Sequence, residues 1–410
     1  MSRVAPRALA VTISLVSLVA CGARTSGPAS TPPTTTASHH FGGDLADPDV
    51  AGAVSTGLAD LGDVAAAGVE PVRLLVGAMA PLRRFTTGTD RLGVWICHVP
   101  LGVSDPMYNP VDLRLKLDPK KVARLLGRHV TPYFEKLSHG VYRPEFVAEG
   151  SVSIATNETN RDCVSKAQEL SGPSIDGLVV IADAEHAADQ PGGWGRPGTL
   201  CRESDPCSAH VTGRATYIGA SDFHPDWGAI PAVDLQEHEI GHSLGLPHSG
   251  DGDGHTSALD IMSNSAAPRD VEPDRRNGPD TIGVDRVALG WLPLADVAVA
   301  SQMTAVTLAP SMSNRGTRLL VLPVDALRFL TVEVIDNGGF NTHLPHAGVV
   351  VHLIDQSGSA CGRSGATDRC LNEYRHQIPQ SGTRPFTDLM TTGSTWSGLG
   401  WSVEVGRSHG

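Results

Sequence analysis

Residues 238–248 of this 410-residue chain read HEIGHSLGLPH, and no other stretch restricts the fold so tightly. On an α-helix, His238 and His242 stand four residues apart and share a face, one turn above the other. Gly245 supplies the left-handed backbone that ends a helix and turns the chain sharply. His248, beyond that turn, can then swing back towards the first two imidazoles. A chain with this pattern must build a helix, a corner and a support for both. Chance coincidence of His238, Glu239, His242, Gly245 and His248 has a probability on the order of 10⁻⁴, so incidental histidines on a helix are a poor explanation.

Two imidazoles on one helix face, joined by a third from beyond the turn, suit Zn²⁺ with bonds of about 2.0–2.1 Å. Three protein ligands leave a fourth position for water, which separates a catalytic zinc from a structural one. Such an ion lowers the pKa of its water to about 7 and polarises a bound carbonyl. Glu239, beside the first ligand, is placed to work on the water as a general base rather than on the metal.

HEIGHSLGLPH matches HExxHxxGxxH and resembles the motif of the metzincin metalloproteases. The resemblance implies a methionine in a tight turn beneath the metal, and Leu259-Asp260-Ile261-Met262-Ser263 is similar to that turn, with Met262 as its methionine. No tyrosine follows closely, so a tyrosine ligand of the kind found in some metzincins is not expected. GVDRVALGWL (283–292), the segment 329–355 and the GWSVEV ending resemble secreted bacterial proteases related to the immune inhibitor A family. That family has aspartate after Leu-Pro where this chain has His248, so the third ligand follows the wider metzincin pattern. The implied activity is hydrolysis of peptide bonds in extracellular proteins.

The N-terminus points to export. Arg3 and Arg7 precede the apolar run 8–20, and Leu18-Val19-Ala20-Cys21 resembles a bacterial lipobox. The run is too short for a comfortable membrane span. Residues 22–40 are rich in Ser, Thr and Pro and cannot bury a core, which suits a tether. Lipidation at Cys21 would anchor the protein on the outer face of a bacterial membrane; an ordinary signal containing a cysteine would instead release it. Removing Cys21 from seven cysteines leaves six, an even set suited to an oxidising compartment. Proximity favours Cys201 with Cys207 and Cys361 with Cys370, leaving Cys97 with Cys163.

The expected order is a signal (1–20), a tether (21–40), an N-terminal extension or pro-segment (41–87), a zinc-binding catalytic domain (88–298) and a β-rich domain (299–410). In the fourth segment, RLGVWICHVPL, FVAEGSVSIA and DGLVVIADA read as strands. The stretch 118–140 reads as a helix with Val122, Leu125, Leu126, Val130, Phe134 and Leu137 on one face. This alternation predicts an α/β domain with a mixed, twisted sheet and a zinc-binding helix. Beyond residue 299, short apolar runs broken by Gly, Pro and Asn predict an all-β sandwich. The strand beginning at Arg214 is expected, by resemblance to metzincins, to be the edge along which an extended peptide lies.

The net charge of −12 and the lack of any Lys/Arg cluster argue against nucleic acid as a partner. A monomer acting on protein or peptide is expected. DGDGH (251–255) offers carboxylates suited to Ca²⁺ but lacks the other spaced oxygen ligands of an EF-hand, so a solvated loop is expected. Asp251 is the residue there nearest to a role at the metal. His343 and His346 are expected at the surface. Two rival functions stay open: a surface binding lipoprotein with a vestigial zinc site, and a zinc hydrolase of other amides or esters.

Overall fold

The computed structural model describes residues 9–15, 70–79, 83–100, 114–184, 193–196, 214–220, 223, 232–250, 255–300, 303–356, 373–378 and 387–406. Elements in chain order begin with β1 (Leu9–Leu15), α1 (Glu70–Met79), α2 (Arg83–Thr86), β2 (Gly88–His98), α3 (Pro119–Leu137) and β3 (Tyr142–Ser153). Next come α4 (Asn160–Leu170), β4 (Gly177–Ala182), β5 (Gly193–Arg196), β6 (Ala215–Ile218), α5 (Asp234–Ser243) and β7 (Ser249–Gly250). After α6 (Ala267–Val271) and α7 (Gly283–Leu289) the chain is almost all strand: β8 (Val297–Val299), β9 (Thr304–Leu308), β10 (Leu319–Pro323), β11 (Arg328–Ile335), β12 (Gly348–Asp355), β13 (Glu373–His376), β14 (Thr395–Gly398) and β15 (Trp401–Val405).

The first sheet has the order β3-β2-β4-β6-β5. Its first four strands run parallel and β5 runs antiparallel to β6. Parallel strands need cover on both faces, and β2 shows how it is supplied. Leu92, Val94 and Ile96 enter the main core, whereas Trp95 and Cys97 enter a second cluster on the opposite face. Helix α3 covers the main-core side. Asp118 caps it by accepting from Lys121 N at 2.9 Å, and Gly140, at φ +82°, turns the chain out. Val122, Leu126, Val130, Phe134 and Leu137 are buried as their spacing predicts, each worth about 1.5–3 kcal/mol of transfer free energy for a residue of Leu or Phe size.

Two further sheets face each other, with orders β14-β15-β1-β9 and β7-β13-β12-β11-β10-β8. The apolar layer between them includes Leu308, Trp396, Trp401 and Val403 from one, and Leu320, Leu330, Val332 and Val351 from the other. A β-rich region is therefore present as expected, but it is not built from residues 299–410 alone: it takes in β1 and β7, and the larger sheet has parallel pairs at both ends. Three contacts cross from it to the α/β region. β7, which follows His248 directly, joins its edge beside β13. The main core runs on through Val321, Phe329, Ile354 and Tyr374. Helix α1 adds Val72, Leu75, Val76 and Met79 to the same core.

β1 lies between β15 and β9, antiparallel to both. It is the same apolar run that reads as the centre of a secretory signal. Cys97 and Cys163 form a disulfide with Cα atoms 6.0 Å apart, in agreement with the pairing left over by proximity. Cys21, Cys201, Cys207, Cys361, Cys370, the tether and Asp251 lie outside the described residues. His346 is exposed as expected, but His343 is not: it is buried and its Nε2 donates to the Ala258 carbonyl at 2.8 Å. Its neighbours in sequence are polar enough to suggest surface, but the turn after α7's partner strand β11 folds it under the 258–262 segment.

Candidate metal centre

Helix α5 carries His238, Glu239 and His242: His238 is 3% exposed and Glu239 4%, whereas His242 is half-buried. The helix ends as its glycine requires. Gly245 has φ +98°, Leu246 N donates to the Gly241 carbonyl at 3.1 Å and Gly245 N to the His242 carbonyl at 2.9 Å. This paired pattern is the Schellman motif. It returns the chain so that His248 faces the helix, with its Nε2 3.3 Å from His238 Nε2 and 3.0 Å from His242 Nε2. Ligands about 2.0–2.1 Å from one tetrahedral ion stand about 3.3 Å apart.

The ring orientations are fixed from behind. His238 Nδ1 donates to the Ile261 carbonyl at 2.6 Å and His242 Nδ1 to the Leu246 carbonyl at 2.8 Å. A ring nitrogen facing a carbonyl carries the proton, so both Nε2 atoms present lone pairs to the same point. Burial pushes the His238 pKa down to about 4, which keeps the ring neutral and able to ligate. Ligand atoms of His238, His242 and His248 all lie within 4.8 Å of one another, so the triad could hold a metal ion. Converging lone pairs repel unless a cation lies between them, and the donor set of three imidazoles suits zinc.

The turn 259–263 supports this group from below. Met262 is fully buried, and a methyl at Gly241 of α5 would strike its Sδ. Gly241 thus lets the helix settle on Met262. Successive carbonyls of the turn divide the work: Ile261 holds His238, and Met262 accepts from Ser249 N at 3.1 Å, next to His248. Asp260 ties the parts together. Its carboxylate accepts from Ser249 Oγ, from Met262 N at 3.2 Å and from Thr281 Oγ1 at 3.0 Å. Burial raises the Asp260 pKa, and these three hydrogen bonds, with a fourth from the Ile282 backbone, oppose that shift.

One expectation fails. β6 is not the edge strand: β5 pairs with it at Trp194↔Tyr217 and covers its outer side. The sheet ends instead on β5, whose outer side pairs with no strand among the described residues. Residues 191–213 are a Gly- and Cys-rich stretch with no strand propensity, so sequence alone hid this element. Its two glycines explain the close approach to α5. A methyl at Gly193 would lie 2.8 Å from Glu239 Cγ, and one at Gly195 would lie 2.5 Å from His242 Cβ and 2.9 Å from Ser243 N. Trp194, pointing the other way, stacks on Tyr217 with ring centres 6.1 Å apart. The alternation Gly-Trp-Gly was the available signal, since a strand that must touch a helix backbone needs glycine at every second position.

No protein-family model matches the chain, and no curated protein matches it. Among solved structures the chain is similar to a chaperone–substrate complex, at 13% identity and a TM-score of 0.26, over 49% of this chain and 33% of that one. It is also similar to metalloproteinase-II from Bacteroides fragilis, at 14% identity and a TM-score of 0.29, over 50% of this chain and 53% of that one. The chain thus spans about half or less of these structures.

Proposed function

We propose that this chain is a zinc endopeptidase of metzincin-like construction, with His238, His242 and His248 as ligands, Glu239 as general base and Met262 as floor. The observation that carries the reading is the convergence of three imidazoles, two of them with Nδ1 held by main-chain carbonyls, against β5, the last strand of its sheet among the described residues. Zinc held by His238, His242 and His248 would supply Lewis acidity for a scissile carbonyl and would lower the pKa of a water to about 7. The Glu239 carboxylate then takes the proton from the attacking water and returns it to the leaving amine, so that one water adds across one peptide bond. β5 offers main-chain groups to an extended peptide, which gives affinity for polypeptide with little regard to sequence.

The test is Glu239→Gln. The variant should keep its zinc and lose hydrolysis of a quenched peptide by about 10²–10⁴-fold. Full turnover in that variant excludes the mechanism, and loss of zinc from a folded variant shows that Glu239 belongs to the metal site instead.

The cellular setting is also a proposal: an extracytoplasmic protein held on a bacterial membrane through lipid on Cys21. The buried Cys97–Cys163 disulfide supports an oxidising compartment. Processing at Cys21 would remove β1 from between β15 and β9, so the two fates of residues 9–15 are exclusive. The intact mass of protein from its native membrane decides between them.

A further inference from the structure

We infer that Asp285 is a positioning residue of the metal centre: a neutral carboxylic acid that, through the Thr281 hydroxyl, holds the Asp260 carboxylate against the turn 259–263. The inference rests on the metal-centre reading above and deepens it by naming the support on which two of the ligands stand. Thr281 Oγ1 lies 3.0 Å from Asp260 Oδ1 and 2.7 Å from Asp285 Oδ2. A hydroxyl has one proton and gives it to one acceptor. At the other carboxyl it must itself accept, so that carboxyl carries a proton.

The surroundings decide which carboxyl that is. Asp260 also accepts from Ser249 Oγ and from Met262 N at 3.2 Å, the support an ionised carboxylate needs. Asp285 has nothing comparable: its Oδ1 is buried without a hydrogen-bond partner. A bare oxygen is tolerable on a neutral acid and very costly on a buried anion. The proton therefore sits on Asp285 Oδ2, and the donors run from Asp285 to Thr281 to Asp260.

The charges facing Asp285 agree. Asp260, Asp285 and Glu333 of β11 are all buried around Arg286 of α7. The Arg286 guanidinium donates to the Ser311 carbonyl at 2.9 Å and to the Thr281 carbonyl at 2.6 Å, and its ion pair with Glu333 Oε2 is 3.9 Å long. One guanidinium so engaged does not offset three carboxylates taken out of water. Burial and the Asp260 charge push the Asp285 pKa well above the usual carboxylate range. Tyr374 of β13 faces the same group, and burial with the two aspartates keeps its phenol protonated.

Asp285 thus gains a proton on folding. Its contribution to stability is full below the ordinary carboxylate range and is lost as pH rises through its raised pKa. Above that point a second buried anion faces Asp260 across one hydroxyl. Asp260 binds Ser249, next to His248, to the turn whose Ile261 carbonyl orients His238. The alkaline limit of zinc binding is then set by a residue that touches neither metal nor substrate.

Infrared spectra of the full chain test the proton directly. Above pH 7, where Asp280, at about 6, is ionised, they should show the carbonyl band of a protonated aspartic acid. That band should move on ¹³C-carboxyl aspartate labelling and vanish in Asp285→Asn. Zinc affinity by chelator competition and quenched-peptide turnover are then followed against pH. Wild type should lose both together on the alkaline side. Asp285→Asn, whose amide donates to Thr281 at every pH, should retain zinc and move that limit up by at least about one pH unit. Asp285→Ala and Thr281→Val should weaken zinc by about tenfold throughout. A wild-type spectrum without the band overturns the inference, whether or not the variants fold. So does an Asp285→Asn chain with the wild-type limit, or with the same loss as Asp285→Ala. A chain that shows the band and binds no zinc overturns the metal-centre reading and the positioning role with it, while the protonated Asp285 stands.

Discussion

Alanine at position 195 should separate strand from helix at the metal centre. Its methyl would lie 2.5 Å from His242 Cβ and 2.9 Å from Ser243 N, and would overlap the Glu239 carbonyl oxygen. Ordinary contact begins near 3.4 Å, so β5 must withdraw from α5 by about 1 Å. Two of the three obstacles are helix backbone and cannot rotate away. Overpacking of this kind costs about 1–3 kcal/mol, and at about 2 °C per kcal/mol the expected fall in Tm is about 4 °C. The same withdrawal misplaces the edge relative to Glu239 and His242, and a shift of about 1 Å at a reacting centre costs about 100-fold in rate. Scanning calorimetry and a quenched-peptide assay read the two effects. Gly127→Ala is the control: this exposed glycine inside α3 has nothing within 4 Å of its missing methyl. There alanine should stabilise by about 0.5–1 kcal/mol. Wild-type Tm and turnover in Gly195→Ala refute the close approach of β5 to α5. An equal fall in both variants refutes the steric cause.

Three other outcomes are expected. Gly241→Ala pushes a methyl onto Met262 Sδ and should cost about 1–3 kcal/mol; adding Met262→Ala should recover at least about 1 kcal/mol of that, and a strictly additive double-mutant cycle counts against the contact. Burial pushes the Glu333 pKa from 4.5 up to about 7. The folded chain therefore keeps a proton that the unfolded chain has lost, so this group's contribution is full below pH 4.5 and fades as pH rises through about 7. Glu333→Gln should gain stability relative to wild type across that window, and parallel melting-pH curves refute it. Replacing Cys97 and Cys163 together by serine opens a link between residues 66 apart, with an expected loss of about 4 kcal/mol by denaturant titration; an unchanged midpoint would mean the bond does not form.

How much could be read in advance follows from how far each signal reaches along the chain. The histidine triad was legible because its geometry is local: four residues set the face shared by His238 and His242, and one glycine sets the turn to His248. Helix α3 was legible for the same reason, since Asp118 and Gly140 bound a stretch with a 3.6-residue period. β5 was not, because Gly193 and Gly195 have no strand preference and acquire meaning only against α5. His343 was misplaced because its burial under Ala258 depends on a contact 85 residues away.

The sequence by itself determined the three histidines, the placing of two of them on one helix and the corner that gathers them, because helix period and glycine's backbone freedom act over a single turn. Tertiary structure alone decided what surrounds them: which strand lies against the helix, and that β7 and Asp260 bind the segment after His248 to the turn beneath and to the second sheet. Those choices belong to packing, where residues far apart in the chain compete for the same volume and the same hydrogen-bonding groups.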